Sequence, residues 1–223
     1  MTKKLFWSAI IKFTAGVVLV GTLIFLPAGT FRFPGGWLLM GILFIPMFLA
    51  GLVMMAKDPN LLRSRLNAKE KEAGQDLVIK LSGLMFLVGF ILAGLDFRFG
   101  WSELPFAVNW IGAVLFLSAY VLYAEVLREN TWLSRTIEVQ ENQTVVSTGL
   151  YGIVRHPMYA VTLLLFLSMP LVLGSIPALL VFLFYPFIIA KRIRNEEEVL
   201  SRELPGYRQY LQKVRWRLIP YIW

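Results

Sequence analysis

Long apolar runs constrain the fold of this chain more than any other feature. Six largely apolar segments follow one another at 5–27, 36–56, 77–95, 106–127, 157–173 and 176–191. A helix needs about 20 such residues to cross the hydrocarbon core of a bilayer. Hydrophobic residues make up 57% of the 223 positions, and the mean hydropathy is +0.66, which soluble domains rarely reach. The runs lack the strict alternation of barrel strands. We therefore predict an all-α, polytopic membrane protein with about six spans.

The basic residues predict the orientation of these spans. Of the 22 Lys and Arg residues, 18 lie at the N-terminus, in 57–76, in 128–156 and from Lys191 onward, whereas Arg32 and Arg98 are the two on the other side. Cytoplasmic loops carry an excess of Lys and Arg, so both termini are expected in the cytoplasm. The first run is too long for a signal peptide, and we expect it to be retained. The net charge of +8 is spread between and after apolar runs, which argues against a nucleic-acid partner.

The chain has no cysteine and a single histidine, His156. Disulfides and thiolate nucleophiles are therefore excluded. Zinc sites use several Cys and His ligands, so no metal site is expected.

The last two apolar runs are short, and they are joined by little more than Gly174 and Ser175. Pro170 and Pro186 interrupt them, which predicts a kinked helical hairpin. A hairpin returns its ends to the same side. The polar segments before and after it should therefore meet at the cytoplasmic surface.

The polar segment before the hairpin ends in GLYGIVRHPMY, residues 149–159. Proline suits the first position of a helix, so His156 is predicted at or near the N-cap of the helix that begins at Pro157. His156 could be a plain interfacial cap, and Arg155 could be an anchor for lipid phosphate. Upstream, Val145 and Val146 could form a short strand or an extended stretch, or belong to an ordinary loop.

The segment after the hairpin places Arg192 and Glu196 four residues apart, on one helix face. This could be a surface ion pair, and the three glutamates 196–198 could be a solvated face. Three leucines, at 200, 204 and 211, give the segment an apolar side that could lie on the membrane or cap a pocket. Ionisable groups converging at the mouth of a membrane hairpin nevertheless indicate a functional site.

The first motif is GLYGIVRHPMY, and the second, after the apolar hairpin, is RIRNEEEVL followed by GYRQY. In this order they resemble the isoprenylcysteine carboxyl methyltransferase family, in particular its prokaryotic, phospholipid methyltransferase-like members. The resemblance covers about residues 128–223 and implies a methyltransferase core there, with N-terminal transmembrane helices over 1–127. It implies an integral-membrane enzyme of a prokaryotic-type inner or plasma membrane. Such an enzyme transfers a methyl group from S-adenosylmethionine to a lipophilic small-molecule or lipidated acceptor, with membrane lipids as further partners.

The resemblance also implies roles for individual residues. Arg192 would face the methyl acceptor as the catalytic residue. The cofactor would be bound by Gln140, Gln143, Thr144, Val145, Val146, Tyr151, His156, Pro157, Met158, Tyr159 and Glu196. Tyrosine rings can hold a sulfonium by cation–π attraction, and Glu196 can pair with the ammonium or the ribose.

Two other functions remain open from the sequence. Membrane sterol reductases have a similar hairpin and use NADPH, but this chain has no obvious additional basic site for a 2′-phosphate. A non-catalytic membrane scaffold is the other alternative. The acceptor could be a phospholipid amine, an isoprenoid acid or a lipophilic thiol.

Overall fold

A computed structural model describes residues 3–66, 73–133 and 139–223. The basic residues Lys69, Lys71 and Arg135 of the predicted charge bias lie outside these ranges. Within them the helices are α1 (Lys3–Ala28), α2 (Pro34–Lys57), α3 (Pro59–Leu66), α4 (Ala73–Phe99), α5 (Ala107–Glu129), a 3-10 turn (Gly149–Gly152), α6 (Pro157–Leu173), α7 (Ile176–Phe182), α8 (Tyr185–Glu203) and α9 (Tyr207–Lys213).

Five segments of the described chain are long and apolar enough to cross a membrane: Leu5–Ala28, Pro34–Lys57, Leu77–Phe99, Ala107–Glu129 and Ile176–Glu203. A shorter apolar helix, Pro157–Leu173, lies between the fourth and fifth of these segments. The prediction of a polytopic, helical membrane protein is thereby confirmed. No strand occurs at Val145 and Val146, which lie in irregular backbone.

The predicted hairpin consists of α6, α7 and α8. Pro186 is in the first turn of α8, where its missing N–H costs nothing. The helical conformation is interrupted just before it, between the end of α7 and the start of α8. Pro170 lies inside α6 near its end and does not interrupt the helix. α8 then continues to Glu203, well beyond the apolar run that ends at 191. The polar C-terminal part of α8 therefore projects beyond the open end of the hairpin.

Small residues bring α6 and α7 close to α5 and α4, as in many membrane helix pairs. A Cβ on Gly112 of α5 would lie 2.6 Å from the backbone nitrogen of Val172 in α6. Nearby, the Asn109 amide donates 2.8 Å to the Val172 carbonyl. On the other side, a Cβ on Gly89 of α4 would collide with the Phe182 ring of α7. These contacts leave little room for the hairpin to slide.

The closed end of the hairpin is attached to the loop between α4 and α5. The buried carboxylate of Asp96 accepts 2.7 Å hydrogen bonds from both the backbone N–H and the hydroxyl of Ser102. The Ser102 hydroxyl in turn accepts a 3.1 Å bond from the backbone N–H of Ile176, at the start of α7. These polar groups at the closed end are thus hydrogen-bonded to one another. The candidate site lies at the opposite, open end of the hairpin.

Candidate functional site

A cleft of about 800 Å³, including its mouth toward solvent, lies at the open end of the hairpin. Its walls come from residues 130–133, residues 143–146, the start of α6, the polar part of α8 and the region of α9. Ten of the twelve predicted site residues line it: Gln143, Thr144, Val145, Val146, Tyr151, His156, Met158, Tyr159, Arg192 and Glu196. The structure thus brings them together, and their binding of a cofactor stays a prediction.

The other two predicted residues, Gln140 and Pro157, lie next to residues that line the cleft. The Gln140 amide donates 2.7 Å to the carbonyl of Trp132, and its backbone N–H donates 2.8 Å to the side chain of Gln143. Pro157 is buried in the first turn of α6. Neither lines the cleft, so the structure gives them a role in shaping the loop and the helix start.

His156 occupies the N-cap position of α6, as the His-Pro pair predicts, but its side chain does not cap the helix. The ring is 5% exposed, and Nε2 lies 3.2 Å from Oε1 of Glu197 in α8. A plain interfacial cap would bond its own helix. The histidine instead ties the start of α6 to α8 at the floor of the cleft.

Glu197 is the centre of a buried ionic cluster that the sequence analysis missed. Its carboxylate also lies 2.8 Å from Nε of Arg155 and accepts a 3.0 Å hydrogen bond from Nε of Arg217. The interpretation of 196–198 as a solvated face is wrong for Glu197, which is 8% exposed. Arg155 is held in this cluster and is not free to act as a lipid anchor.

A signal for Glu197 is nevertheless present in the sequence. Tyr185, Ile189 and Ile193 are buried and recur every four residues along α8, and Glu197 is the next position in that row. A carboxylate at the end of an apolar stripe predicts a buried charge, which needs a basic partner.

The hydroxyl of Tyr159 joins Arg192 to Glu196. It accepts a 2.9 Å hydrogen bond from Nε of Arg192 and donates a short one to Oε2 of Glu196. Both charged side chains are half-buried, so the arrangement is more than an exposed ion pair on one helix. Two residues that the sequence places on one face of α8 are thus linked through α6.

Four tyrosines, at 151, 159, 207 and 210, surround this part of the cleft. The Tyr210 hydroxyl donates 2.7 Å to the carbonyl of Tyr151, which links α9 to the turn before α6. Burial raises the pKa of the Tyr210 phenol to about 12, with Arg155 opposing the shift. Burial also raises the pKa of Tyr151 far above the ordinary range, against a hydrogen bond with Asn130. Both phenols are therefore neutral at physiological pH.

The turn that carries Tyr151 is fixed by Glu129, the last residue of α5. Its carboxylate oxygens lie 2.8 and 3.0 Å from the backbone N–H of Leu150. Gly149 has a φ of +53°, and a Cβ there would collide with the Glu129 carboxylate. This glycine is therefore required both for the backbone conformation and for the close approach.

The C-terminal tail lies alongside the residues before α6, so the polar segments before and after the hairpin meet, as the sequence predicts. The backbone N–H groups of Arg155 and His156 donate to the carbonyls of Trp216 and Arg217, at 2.8 and 2.9 Å. Leu200 and Leu204 line the cleft, so the apolar side of this segment caps a pocket. No group of three or more potential metal ligands lies among the described residues.

Residues 107–205, from α5 to just past the end of α8, contain most of this site. Over this segment the chain matches the phospholipid methyltransferase family. The predicted resemblance to membrane methyltransferases of the isoprenylcysteine carboxyl methyltransferase type is confirmed here. The match supports an enzyme of the methyltransferase kind.

Two curated proteins are similar over parts of their length. The Delta(14)-sterol reductase TM7SF2 of Mus musculus is 28% identical over 91 residues, which are 40% of this chain and 22% of that protein. The cobalt-zinc-cadmium resistance protein CzcN of Cupriavidus metallidurans is 27% identical over 132 residues, 57% of each chain. The chain thus matches less than two thirds of either relative.

Proposed function

We propose that this protein is an integral-membrane methyltransferase that uses S-adenosylmethionine to methylate a lipophilic acceptor. The acceptor group is a carboxylate, as for isoprenylcysteine, or the head group of a related lipid. The observation that carries the proposal is the cleft in which Tyr159 joins Arg192 to Glu196, within a segment that matches a methyltransferase family. We expect the cleft at the cytoplasmic surface, because of the charge bias, and in a prokaryotic-type membrane, because of the family resemblance.

The residues of the cleft fit the chemistry of S-adenosylmethionine. The molecule carries a sulfonium and an ammonium, and the cleft offers aromatic rings and the half-buried carboxylate of Glu196.

When bound, the cofactor supplies an electrophilic methyl group. Methyl transfer requires the nucleophile to be held in line with that group, so most of the rate enhancement comes from positioning. Arg192 can hold an acceptor carboxylate by a bidentate hydrogen bond, and Tyr159 fixes the guanidinium on its Nε side. A carboxylate is already deprotonated at neutral pH, so the chain needs no general base for this acceptor.

The site lies at the end of a helical hairpin whose outer side chains are apolar and exposed. Leu180, Phe184 and Phe187 of the hairpin are exposed apolar side chains in the membrane region. An acceptor with a long apolar chain can lie against these helices while its head group reaches Arg192. A water-soluble acceptor would gain nothing from this placement.

The partial similarity to a sterol reductase supports a second candidate, an NADPH-dependent membrane reductase. The family match over 107–205 favours the methyltransferase. In addition, Arg155 and Arg217, the cations near His156, are paired with Glu197. They are less suited to a 2′-phosphate than unpaired arginines.

The test is ligand binding to the purified protein in detergent. S-adenosylmethionine, S-adenosylhomocysteine and NADPH are titrated in parallel, and we expect saturable binding of the first two. Saturable binding of NADPH alone would replace the methyltransferase with the reductase. The acceptor is then sought by incubating the protein with methyl-labelled cofactor and membrane lipid extracts.

A further inference from the structure

Tyr207, the first residue of α9, has a buried hydroxyl without a partner in the part of the chain that the structure describes. The side chain is 4% exposed and lines the cleft. Its neighbour Tyr210, in the same helix, has its hydroxyl bonded to the carbonyl of Tyr151. Nearly all buried polar groups are paired, so an unpaired phenol at a ligand cleft calls for an explanation.

The charges around Tyr207 indicate which kind of group could pair with it. Burial raises the pKa of this phenol far above the ordinary range, and the negative charges of Glu196 and Glu197 raise it further, with Arg155 opposing them. The phenol is thus neutral, and its lone pairs are unused. A positively charged group that enters the cleft beside Glu196 can donate a hydrogen bond to these lone pairs.

The carboxylate oxygens near Tyr207, those of Glu196 and Glu197, already have hydrogen-bond or ionic partners in part. Oε2 of Glu196 accepts from Tyr159, and both carboxylate oxygens of Glu197 face cations. The oxygen of Tyr207 is an acceptor that the described contacts leave unused. It can accept a hydrogen bond without the desolvation cost of a buried charge.

We infer that Tyr207 is a ligand-contacting residue, whose hydroxyl oxygen accepts a hydrogen bond from a cationic group of the bound cofactor. The inference rests on the proposed function. S-adenosylmethionine has two such groups, the polarised methyl on the sulfonium and the ammonium of its amino-acid part. Either one supplies the missing partner of the phenol.

The test compares Tyr207→Phe with the wild type by calorimetric titration of three ligands. S-adenosylmethionine carries both cations, S-adenosylhomocysteine carries the ammonium alone, and 5′-methylthioadenosine carries neither. If the sulfonium methyl is the partner, affinity falls about tenfold for S-adenosylmethionine and is unchanged for the other two. If the ammonium is the partner, affinity falls for the first two and is unchanged for 5′-methylthioadenosine.

A thermal-unfolding measurement separates this role from a structural one. Removing an unpaired hydroxyl should leave the midpoint of the ligand-free protein unchanged or higher. Tyr210→Phe, which loses a bond inside the protein, should lower the midpoint instead. Tyr221→Phe, at a side chain that is 86% exposed, controls for the handling of the variants and should match the wild type.

The inference is overturned if Tyr207→Phe binds all three ligands as the wild type does, or weakens all three equally. In either case the wild type still binds S-adenosylmethionine, and the proposed function stands. If the wild type itself binds none of the three, the proposed function is overturned and the inference with it.

Discussion

The Nε–H of Arg192 donates a 2.9 Å hydrogen bond to the hydroxyl of Tyr159. The same hydroxyl donates to Glu196, so the residue proposed for the acceptor and the residue proposed for the cofactor share one neutral bridge. The bridge fixes the positions of the two charged groups relative to each other. The different roles proposed for its two ends predict different effects on binding and on turnover.

Glu196→Gln is expected to lower the affinity for S-adenosylmethionine, because a charge-assisted hydrogen bond contributes about 1.5–3 kcal/mol. Arg192→Lys is expected to leave that affinity nearly intact and to slow methyl transfer, since lysine lacks the planar guanidinium. Calorimetry on both variants, together with turnover on the identified acceptor, checks this. Equal losses of cofactor affinity would mean that the pair acts as one electrostatic unit, and the assignment of Arg192 to the acceptor would be wrong.

Glu197→Gln is expected to destabilise the protein by about 3 kcal/mol, because the largely buried Arg155 would lose the carboxylate that balances its charge. The measurement is the unfolding midpoint in detergent. Glu198→Gln is the matched control at the adjacent, exposed position, and it should change stability by less than about 0.5 kcal/mol. Similar midpoints for the two variants would show that the cluster does not hold the tail and α8 together.

Gly149→Ala is expected to weaken both folding and cofactor binding. The left-handed backbone conformation of this position lowers the free energy of unfolding of the alanine variant by about 1–2 kcal/mol. The added Cβ also collides with the Glu129 carboxylate. The double variant Gly149→Ala with Glu129→Ala removes the collision and retains the backbone strain. Because Glu129→Ala alone loses the bonds to Leu150, the double variant is expected to be destabilised by less than the sum of the two single variants. Simple additivity of the two effects would exclude the collision as a cause.

The sequence was sufficient for the spans, because they depend on the length of the apolar runs, whereas most residues of the cleft were predicted from the family resemblance. Run lengths gave the membrane helices, and the His-Pro pair located the start of α6. α3 was not predicted, since eight residues with a charged, polar composition carry little periodic signal. Glu197 and Tyr207 were missed because their environment depends on where the tail and α9 fold back, which is set by contacts between distant residues.

Reporter fusions test the orientation on which the location of the site depends. Fusions at Asp76 and at Trp223 are expected to report the cytoplasm, and a fusion at Phe99 the opposite side, following the positive-inside bias. An extracytoplasmic signal at Trp223 would place the cleft on the wrong side for a cytoplasmic cofactor.

Titration of S-adenosylhomocysteine into the wild type and into His156→Ala, side by side, tests the central claim most directly. The account predicts that affinity, corrected for the folded fraction, falls in the variant, because His156 lines the cleft and does not cap its helix. Its unfolding midpoint should fall as well, since the contact with Glu197 is lost. An unchanged corrected affinity with a lowered midpoint would contradict the account and return His156 to a purely structural role.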